Sequence, residues 1–349
     1  MITRVKVKNR VTAVNFSKSR MLSQHGLTLI ELLVALVISS VIAIAAVSAL
    51  IVSRQGFSTV DAASQLRDNS RFAVDLIQRL ALQSGFKDIQ YAATVRQASS
   101  TVSLANITGY NDQKPDVSAT DPSTSMLSWG TSEGGKGSDV LILRYQPSKL
   151  FADATTTDKS MINCMGAAAT FVPLNRDDRM TSILYINTSL GEPSLMCSAT
   201  TANNNTWPSP ATGQPIISGV ENMQILYGVE SVIANAAPAA SLADTSYPNL
   251  YLRADQMVVA GNANATNLNW QRVRSIRIGM VLRGPLGSAQ GNVSSTLYPL
   301  GQAASSTGGA AGSAMSSTTD VGTVFVTPAD TRLRQVVTFT VHLRNEQGN

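Results

Sequence analysis

The stretch HGLTLIELLVALVISSVIAIAAVSALIV, from His25 to Val52, decides how the chain begins. Glu31 is its only Asp, Glu, Lys or Arg, and the 21 residues from Leu32 to Val52 are uncharged. A helix needs about 20 apolar residues to cross the hydrocarbon core of a bilayer. The stretch therefore predicts a membrane-spanning helix. It also raises the question of why a carboxylate lies near the start of that helix, since a charge in hydrocarbon is costly.

The residues before this stretch form a basic leader. They include no acidic residue and six basic ones: Arg4, Lys6, Lys8, Arg10, Lys18 and Arg20. Basic residues ahead of an apolar helix predict a cytoplasmic N-terminus and place the chain beyond Arg54 outside. Without these six, the chain has 21 basic and 22 acidic residues, so its net charge changes from +5 to −1. The rest of the chain thus gives no indication of a nucleic-acid partner.

Hydropathy alone leaves several interpretations of this N-terminal region open. A secretory signal peptide would have a shorter apolar segment and a small-x-small cleavage site, which the following ALIVSRQGF matches poorly. A plain signal anchor fits the length and the charge but gives Gly26 and Glu31 no role. Met21 is an alternative start that would give the short leader MLSQHG and discard all six basic residues.

The sequence GLTLIELLVAL, which begins at Gly26, resembles the processing motif of type IV prepilins. The resemblance implies that prepilin peptidase cuts between Gly26 and Leu27 and that Leu27 becomes N-methylated. Thr28 and Glu31 would then be the second and fifth mature residues, and Leu27 stands where Phe is most usual. The resemblance further implies that Glu31 pairs with the free amine of Leu27 or its equivalent in a neighbouring subunit. Buried ion pairs of this kind are best known for setting register.

The helical pattern continues beyond Val52. Charged residues lie mostly on other faces, while apolar residues recur at spacings of three and four: Val60, Ala63, Leu66, Ala73, Leu76, Ile77 and Leu80. This predicts one helix from Thr28 to Ser84, with a bend at Gly56 and a stop at Gly85. Two helices broken near Gly56 are the alternative.

Short strand-like runs separated by Gly, Pro, Asn and Ser follow the helix. They predict an antiparallel sheet packed on the apolar stripe of the helix, an α+β fold. The predicted strands are Val140–Tyr145, Ile183–Ile186, Met223–Val229, Val273–Leu282, Val324–Val326 and Val336–Leu343. The predicted organisation is a cleaved leader (1–26), a transmembrane and assembly helix (27–53), its amphipathic continuation (54–85) and a β-rich external domain (86–349). That domain includes a low-complexity surface loop over 301–320.

The sequence offers little for catalysis. Its two histidines are His25, in the leader, and His342, in a strand-like run, so no Ser-His-Asp arrangement is indicated. The sequence GGKGSD around Lys136 lacks the pattern of a phosphate-binding loop. The tryptophans, Trp129, Trp207 and Trp270, are too scattered for a platform that stacks single-stranded nucleic acid. We therefore expect a non-enzymatic protein without cofactor or metal.

Cys164 and Cys197 are the only cysteines, 33 positions apart. An even number of cysteines on the oxidising side of the membrane favours a disulfide between them over two free thiols. A zinc site would need further ligands, and no histidine lies nearby.

Several phrases, in order along the chain, are similar to the PilW family of minor type IV pilins: DNSRFAVDLIQRLALQSGF, SDVLILRYQP, GVENMQILYGV, WQRVRSIRIGMVLR and RLRQVVTFTVHLRN. The resemblance implies a type IV pilin-like fold in a protein that is held in the inner membrane and later moves to the pilus on the cell surface. Its implied partners are prepilin peptidase, the major pilin, other minor pilins and a tip adhesin. The implied role is to prime pilus assembly near the tip and to support adhesion and twitching motility. The topmost subunit of such a filament tends to lack the acid that Glu31 provides in this chain. The resemblance therefore argues against this subunit being the topmost one.

Two alternatives remain. One is a J-type minor pseudopilin of type II secretion, which shares the long helix and the sheet. The other is a membrane-anchored periplasmic binding protein or enzyme in which Glu31 is incidental.

Overall fold

A computed structural model describes residues 26–88, 105–131, 133–153, 155–175, 177–201, 206–208, 213–238, 247–292, 294–302 and 320–345. The chain divides into two compact units, Met1–Arg54 and Gln55–Asn349. Residues 1–25, which form nearly all of the predicted leader, and most of the predicted loop 301–320 lie outside the described residues.

Helix α1 runs from Leu29 to Gln83 and is continuous across Gly56, so the alternative of two separate helices is wrong. Both ends lie within one residue of the predicted Thr28–Ser84. Gly85 has a φ of +78°, in the left-handed region that glycine adopts without strain at helix C-termini. The predicted stop at Gly85 is therefore confirmed.

Thirteen strands and a short helix, α2 (Ala263–Trp270), follow in the described residues. The strands are β1 (Ile107–Tyr110), β2 (Gln113–Pro115), β3 (Met126–Ser128), β4 (Val140–Tyr145), β5 (Met180–Ser189), β6 (Glu192–Ala199), β7 (Gln214–Ser218), β8 (Val220–Val229), β9 (Leu250–Leu252), β10 (Val273–Arg283), β11 (Thr296–Leu297), β12 (Phe325–Val326) and β13 (Arg334–His342). A 3₁₀ turn covers Asp255–Met257.

Two larger antiparallel sheets organise the second unit. The five-stranded sheet has the order β1-β4-β5-β6-β7, and the four-stranded sheet has the order β13-β10-β8-β9. The pairs β2–β3 and β11–β12 form two small ribbons. The six predicted strands correspond to β4, β5, β8, β10, β12 and β13. The predicted α+β class is confirmed, although the strands are divided between two main sheets rather than gathered in one.

The C-terminal part of α1 packs against both larger sheets. Leu66, Ala73, Ile77 and Leu80 belong to one buried cluster with Leu184 of β5, Ile225 of β8 and Ile278 of β10. Four members of the predicted stripe are therefore core residues. Val60 is not, since it is 70% exposed and lies before Ala62, the first buried residue of α1. The predicted stripe begins about one turn too early.

An inter-sheet charge cluster joins the start of β6 to the ends of β8, β10 and β13. Three guanidinium groups contact three carboxylates at nitrogen–oxygen distances of 2.6 to 3.0 Å. Its members are Arg283, Arg332, Arg334, Glu192, Glu221 and Asp330. Because Glu192 lies in the five-stranded sheet and Glu221 in the four-stranded one, Arg283 bridges the two sheets.

This cluster predicts a loss of stability in acid. Partial burial raises the pKa of Glu192, but hydrogen bonds and charges from Arg283 and Arg332 outweigh burial and lower it below the ordinary 4.5. The hydrogen bond from Arg334 lowers the pKa of Asp330 below its ordinary 3.8. A carboxyl whose pKa is depressed by folding stabilises the fold above its unfolded pKa and ceases to do so as the pH falls through its folded pKa.

We therefore expect these two groups to make the free energy of unfolding fall below about pH 4.5. Urea titrations at a series of pH values would measure the fall. The double variant Glu192→Gln, Asp330→Asn should be less stable than the wild type at neutral pH and show a smaller acid-induced loss. Parallel stability curves for the two proteins would contradict the assignment.

Candidate functional site

The prepilin-like motif forms the N-terminal cap of α1. The backbone N–H and the hydroxyl of Thr28 both lie 3.4 Å from Glu31 Oε2, and the backbone N–H of Glu31 donates to Thr28 Oγ1 at the same distance. The N–H of Leu32 donates to the carbonyl of Thr28 at 3.2 Å. This is a capping box, in which Thr and Glu three residues apart satisfy the unpaired N–H groups that begin a helix. The capping role of Thr28 and Glu31 was not predicted, although their T-x-x-E spacing in the sequence is that of a capping box.

The cap determines where the carboxylate of Glu31 lies before assembly. It is in the first turn of α1, where the partial positive charge of a helix N-terminus stabilises an anion. Its hydrogen-bond donor Thr28 directly follows Leu27, whose nitrogen would become the free amine after cleavage. The carboxylate is thus hydrogen-bonded to the residue that follows the site of the new positive charge. This geometry allows an ion pair with that amine or with the equivalent amine of another subunit.

Gly26 lies in open space, ahead of the first residue of α1. A Cβ atom built there meets no heavy atom within 4 Å. The fold of the described residues therefore places no steric demand for glycine at this position. Any such demand would come from an enzyme that acts on the peptide bond after it.

The N-terminal half of α1 presents an apolar surface. Every residue from 26 to 58 is exposed, and the 21 residues from Leu32 to Val52 carry no charge. Among the described residues α1 is the one helix long and apolar enough to cross a membrane, by length and composition. Apolar surface of this extent marks a membrane or protein contact.

Three serine hydroxyls within this apolar part of α1 are satisfied by the helix itself. Ser39 donates to the carbonyl of Ala35 at 2.7 Å, and Ser48 donates to that of Ile44 at 2.8 Å. Ser40 bonds in the same way to the carbonyl three residues earlier. Hydroxyls that bond back to the helix carry a small desolvation cost, while their small size permits close helix packing.

A disulfide joins Cys164 to Cys197, with Cα atoms 5.9 Å apart. Cys197 lies on β6 and is fully buried, whereas Cys164 lies in the long connection between β4 and β5. The backbone N–H of Cys164 also donates to the Ser182 hydroxyl at 3.0 Å. The bond therefore fixes this connection to the five-stranded sheet.

Removal of the disulfide should destabilise the β-rich part of the chain. It closes a loop with a sequence separation of 33, for which loop-closure entropy predicts a loss of about 3 to 4 kcal/mol. We expect Cys164→Ala, Cys197→Ala to unfold at a lower urea concentration than the oxidised wild type. The reduced wild type is the control and should resemble the variant. Identical midpoints for the oxidised wild type and the variant would contradict this role.

The other residues considered from the sequence do not form a catalytic centre in the described part of the chain. His342 lies on β13 with its side chain exposed, and His25 is outside the described residues. Trp270 is buried with its ring edge against Tyr227, at a centroid distance of 4.7 Å. Lys114 lies 5.6 Å from the ring of Trp129. Within the described residues there is no group of three or more His, Cys, Asp or Glu arranged to hold a metal ion.

Two family models match the chain. The model described as type IV pilus-assembly protein W matches residues 183–345, and the prokaryotic N-terminal methylation motif matches residues 21–47. Among solved structures, a type IV-like pilin from Thermus thermophilus is similar, with 12% sequence identity and a TM-score of 0.37. The alignment covers 81% of this chain and 98% of that one. No curated protein has a detectable match. The methylation motif includes Gly26, Leu27 and Glu31, and the longer match extends from β5 to just beyond β13.

Proposed function

The chain belongs to the PilW family of minor type IV pilins, and from this premise we propose that it helps to prime assembly of a type IV pilus. In this proposal prepilin peptidase removes residues 1–26 and Leu27 is N-methylated. Helix α1 holds the subunit in the inner membrane, with the N-terminus in the cytoplasm, until it is extracted into the filament. Pilins are structural proteins, and we propose that this chain acts without catalysis, cofactor or metal.

The observation that carries this proposal is the position of Glu31 within the apolar surface of α1. A carboxylate on a helix whose residues 26–58 are all exposed needs a cationic partner once that surface is covered by other helices. Cleavage after Gly26 would create such a cation at Leu27 of each neighbouring subunit. Glu31 and the new amine would then set the register between subunits.

We further propose that the subunit joins other minor pilins in a complex near the pilus tip. The external domain, residues 86–349, would contribute to the surface that presents an adhesin, and the complex would support adhesion and twitching motility. The major pilin would follow below it in the filament.

Mass spectrometry of filaments sheared from the cell surface tests this proposal. We expect a mature N-terminus at N-methylated Leu27. A subunit that retains its leader in the filament, or that is absent from sheared filaments, would overturn the proposal. Deletion of the gene then distinguishes a minor pilin from a J-type pseudopilin. Loss of twitching with normal protein secretion supports the pilin role, and loss of protein secretion with normal twitching supports the pseudopilin role.

A further inference from the structure

One end of the five-stranded sheet changes from apolar to polar on the face opposite the main core. Along β4 this face carries Val140 and Ile142 and then Arg144, and along β5 it carries Tyr185 and Ile183 and then Thr181. Arg144 and Thr181 are direct partners in the sheet register. The alternation of β-strand side chains therefore places a charged and a hydroxyl side chain together where the apolar row ends.

These side chains line a pocket of about 200 Å³. Two arginines, Arg144 and Arg179, lie in its wall together with the hydroxyls of Ser123 and Thr181 and the ring of Trp207. A single ordered water needs roughly 10 to 15 Å³ of such space, so the pocket has room for a small organic molecule. Its wall combines segments that are far apart in the sequence.

Arg144 is a buried cation whose hydrogen bonds go to neutral acceptors. It is 6% exposed and donates to the carbonyl of Ala105, the hydroxyl of Thr108 and the hydroxyl of Ser123 at 3.0 to 3.2 Å. Burial and the repulsion of nearby Arg179 outweigh the attraction of Asp121 and lower the pKa of Arg144 to about 10, so Arg144 stays charged at neutral pH. In the described part of the chain no carboxylate forms an ion pair with it. A buried charge that forms no direct ion pair is costly.

The two carboxylates in the wall of the pocket, those of Asp121 and Asp177, make their direct contacts with residues other than Arg144. Asp121 accepts hydrogen bonds from the backbone N–H and the hydroxyl of Ser123 at 2.9 and 2.7 Å. Asp177 pairs with Arg179 at 3.1 Å, and its side chain is 26% exposed. Asp177 therefore neutralises the second arginine, and Asp121 orients Ser123. The charge of Asp121 also attracts Arg144, but neither carboxylate forms an ion pair with the guanidinium of Arg144.

We propose that this pocket binds an oxyanion, the carboxylate or phosphate group of a small ligand, with Arg144 as its charge partner. Three N–H groups of Arg144 already donate within the protein, which leaves its Nε–H and one N–H of Nη2 to donate to either kind of oxyanion. The hydroxyl of Thr181 supplies a further donor beside it, and Trp207 provides a flat apolar wall for the rest of the ligand. This site is independent of cleavage after Gly26, so it can be established whether or not the proposed pilus role holds.

Calorimetric titration of the full-length chain in detergent tests the site. The probes are inorganic phosphate and glucuronate at constant ionic strength, with glucose as the neutral control. We expect saturable binding of at least one anion, and which anion binds identifies the source of the oxyanion. Arg144→Lys, which keeps the charge but loses the planar fork, should weaken binding by at least about tenfold.

The matched control is Arg277→Lys, on β10, where the guanidinium contacts the hydroxyl of Thr340 instead. It should bind like the wild type. If Arg144→Lys fails to fold, as judged by circular dichroism, Thr181→Val replaces it and should weaken binding of either anion several-fold, while Trp207→Ala should weaken binding of glucuronate several-fold. The proposal is overturned if neither anion saturates the wild type below about 10 mM, if glucose binds equally well, or if the folded pocket variants keep wild-type affinity.

Discussion

Gly26→Ala will leave the protein at its full length, with the basic leader still attached. A Cβ at this position meets no heavy atom within 4 Å, and Gly26 precedes the first residue of α1. The substitution should therefore leave folding and membrane insertion unchanged. A block in processing would report recognition by the peptidase rather than a folding defect. We expect processing to be lost almost completely, as measured by the intact mass of the protein from membranes.

Gly56→Ala is the matched control for this experiment. Gly56 is also exposed, and a Cβ there also meets nothing within 4 Å, but it lies inside α1 far from the cleavage site. Alanine at an exposed helix position is more favourable than glycine by about 1 kcal/mol. This variant should be processed normally in the same cells. Wild-type processing of Gly26→Ala, or a full-length product from both variants, would be incompatible with cleavage specified by Gly26.

The parts of the fold that the sequence predicts are those with a long, regular hydrophobic period. Helix α1 could be predicted to within a residue because its apolar positions recur at helical spacing and Gly85 ends it. Strand β4 is buried along its whole length and is apolar except for Arg144. The longer strands β8 and β10 are mostly buried, with apolar residues at most positions of their central parts. In such segments local preference and tertiary burial favour the same structure.

Most of the missed elements are short or polar, and contacts elsewhere in the chain stabilise them; the exception is the buried eight-residue strand β6. Strands β2, β3 and β9 have three residues each, too few for a period to be recognised. Helix α2 has the sequence ANATNLNW, without an amphipathic pattern. Its start depends on Asn262, whose side chain accepts a hydrogen bond from the N–H of Ala265.

The N-terminal motif and the pocket around Arg144 also differ in how far the sequence predicts them. The N-terminal motif could be found because its residues are contiguous, from Gly26 to Glu31. The pocket around Arg144 could not, since its wall combines residues near positions 121, 144, 179 and 207. The one local signal was an arginine inside the otherwise apolar run VLILRY, at a position that alternation assigns to the same face as Val140 and Ile142.

Glu31→Leu should be processed and anchored normally but should enter filaments poorly. Leucine makes the first turn of α1 more apolar, so insertion into the membrane is retained. Once helices cover the exposed surface of α1, the amine of Leu27 would lack its carboxylate partner. Breaking a buried ion pair by removing one partner costs about 3 kcal/mol or more, which corresponds to a reduction on the order of 100-fold in incorporation. Immunoblots of sheared filaments against whole-cell protein would measure the ratio.

Glu31→Gln separates the charge of Glu31 from its role in the cap. The glutamine amide oxygen can accept the hydrogen bonds that Thr28 donates, because Gln also completes a capping box. It carries no charge, however, and cannot neutralise an amine. If register depends on the ion pair, Glu31→Gln should be as defective in assembly as Glu31→Leu, while its helix starts like that of the wild type. If Glu31→Gln assembles normally and only Glu31→Leu fails, the cap is the essential function. Normal incorporation of both variants would make the acid incidental and favour a membrane-anchored protein of another kind.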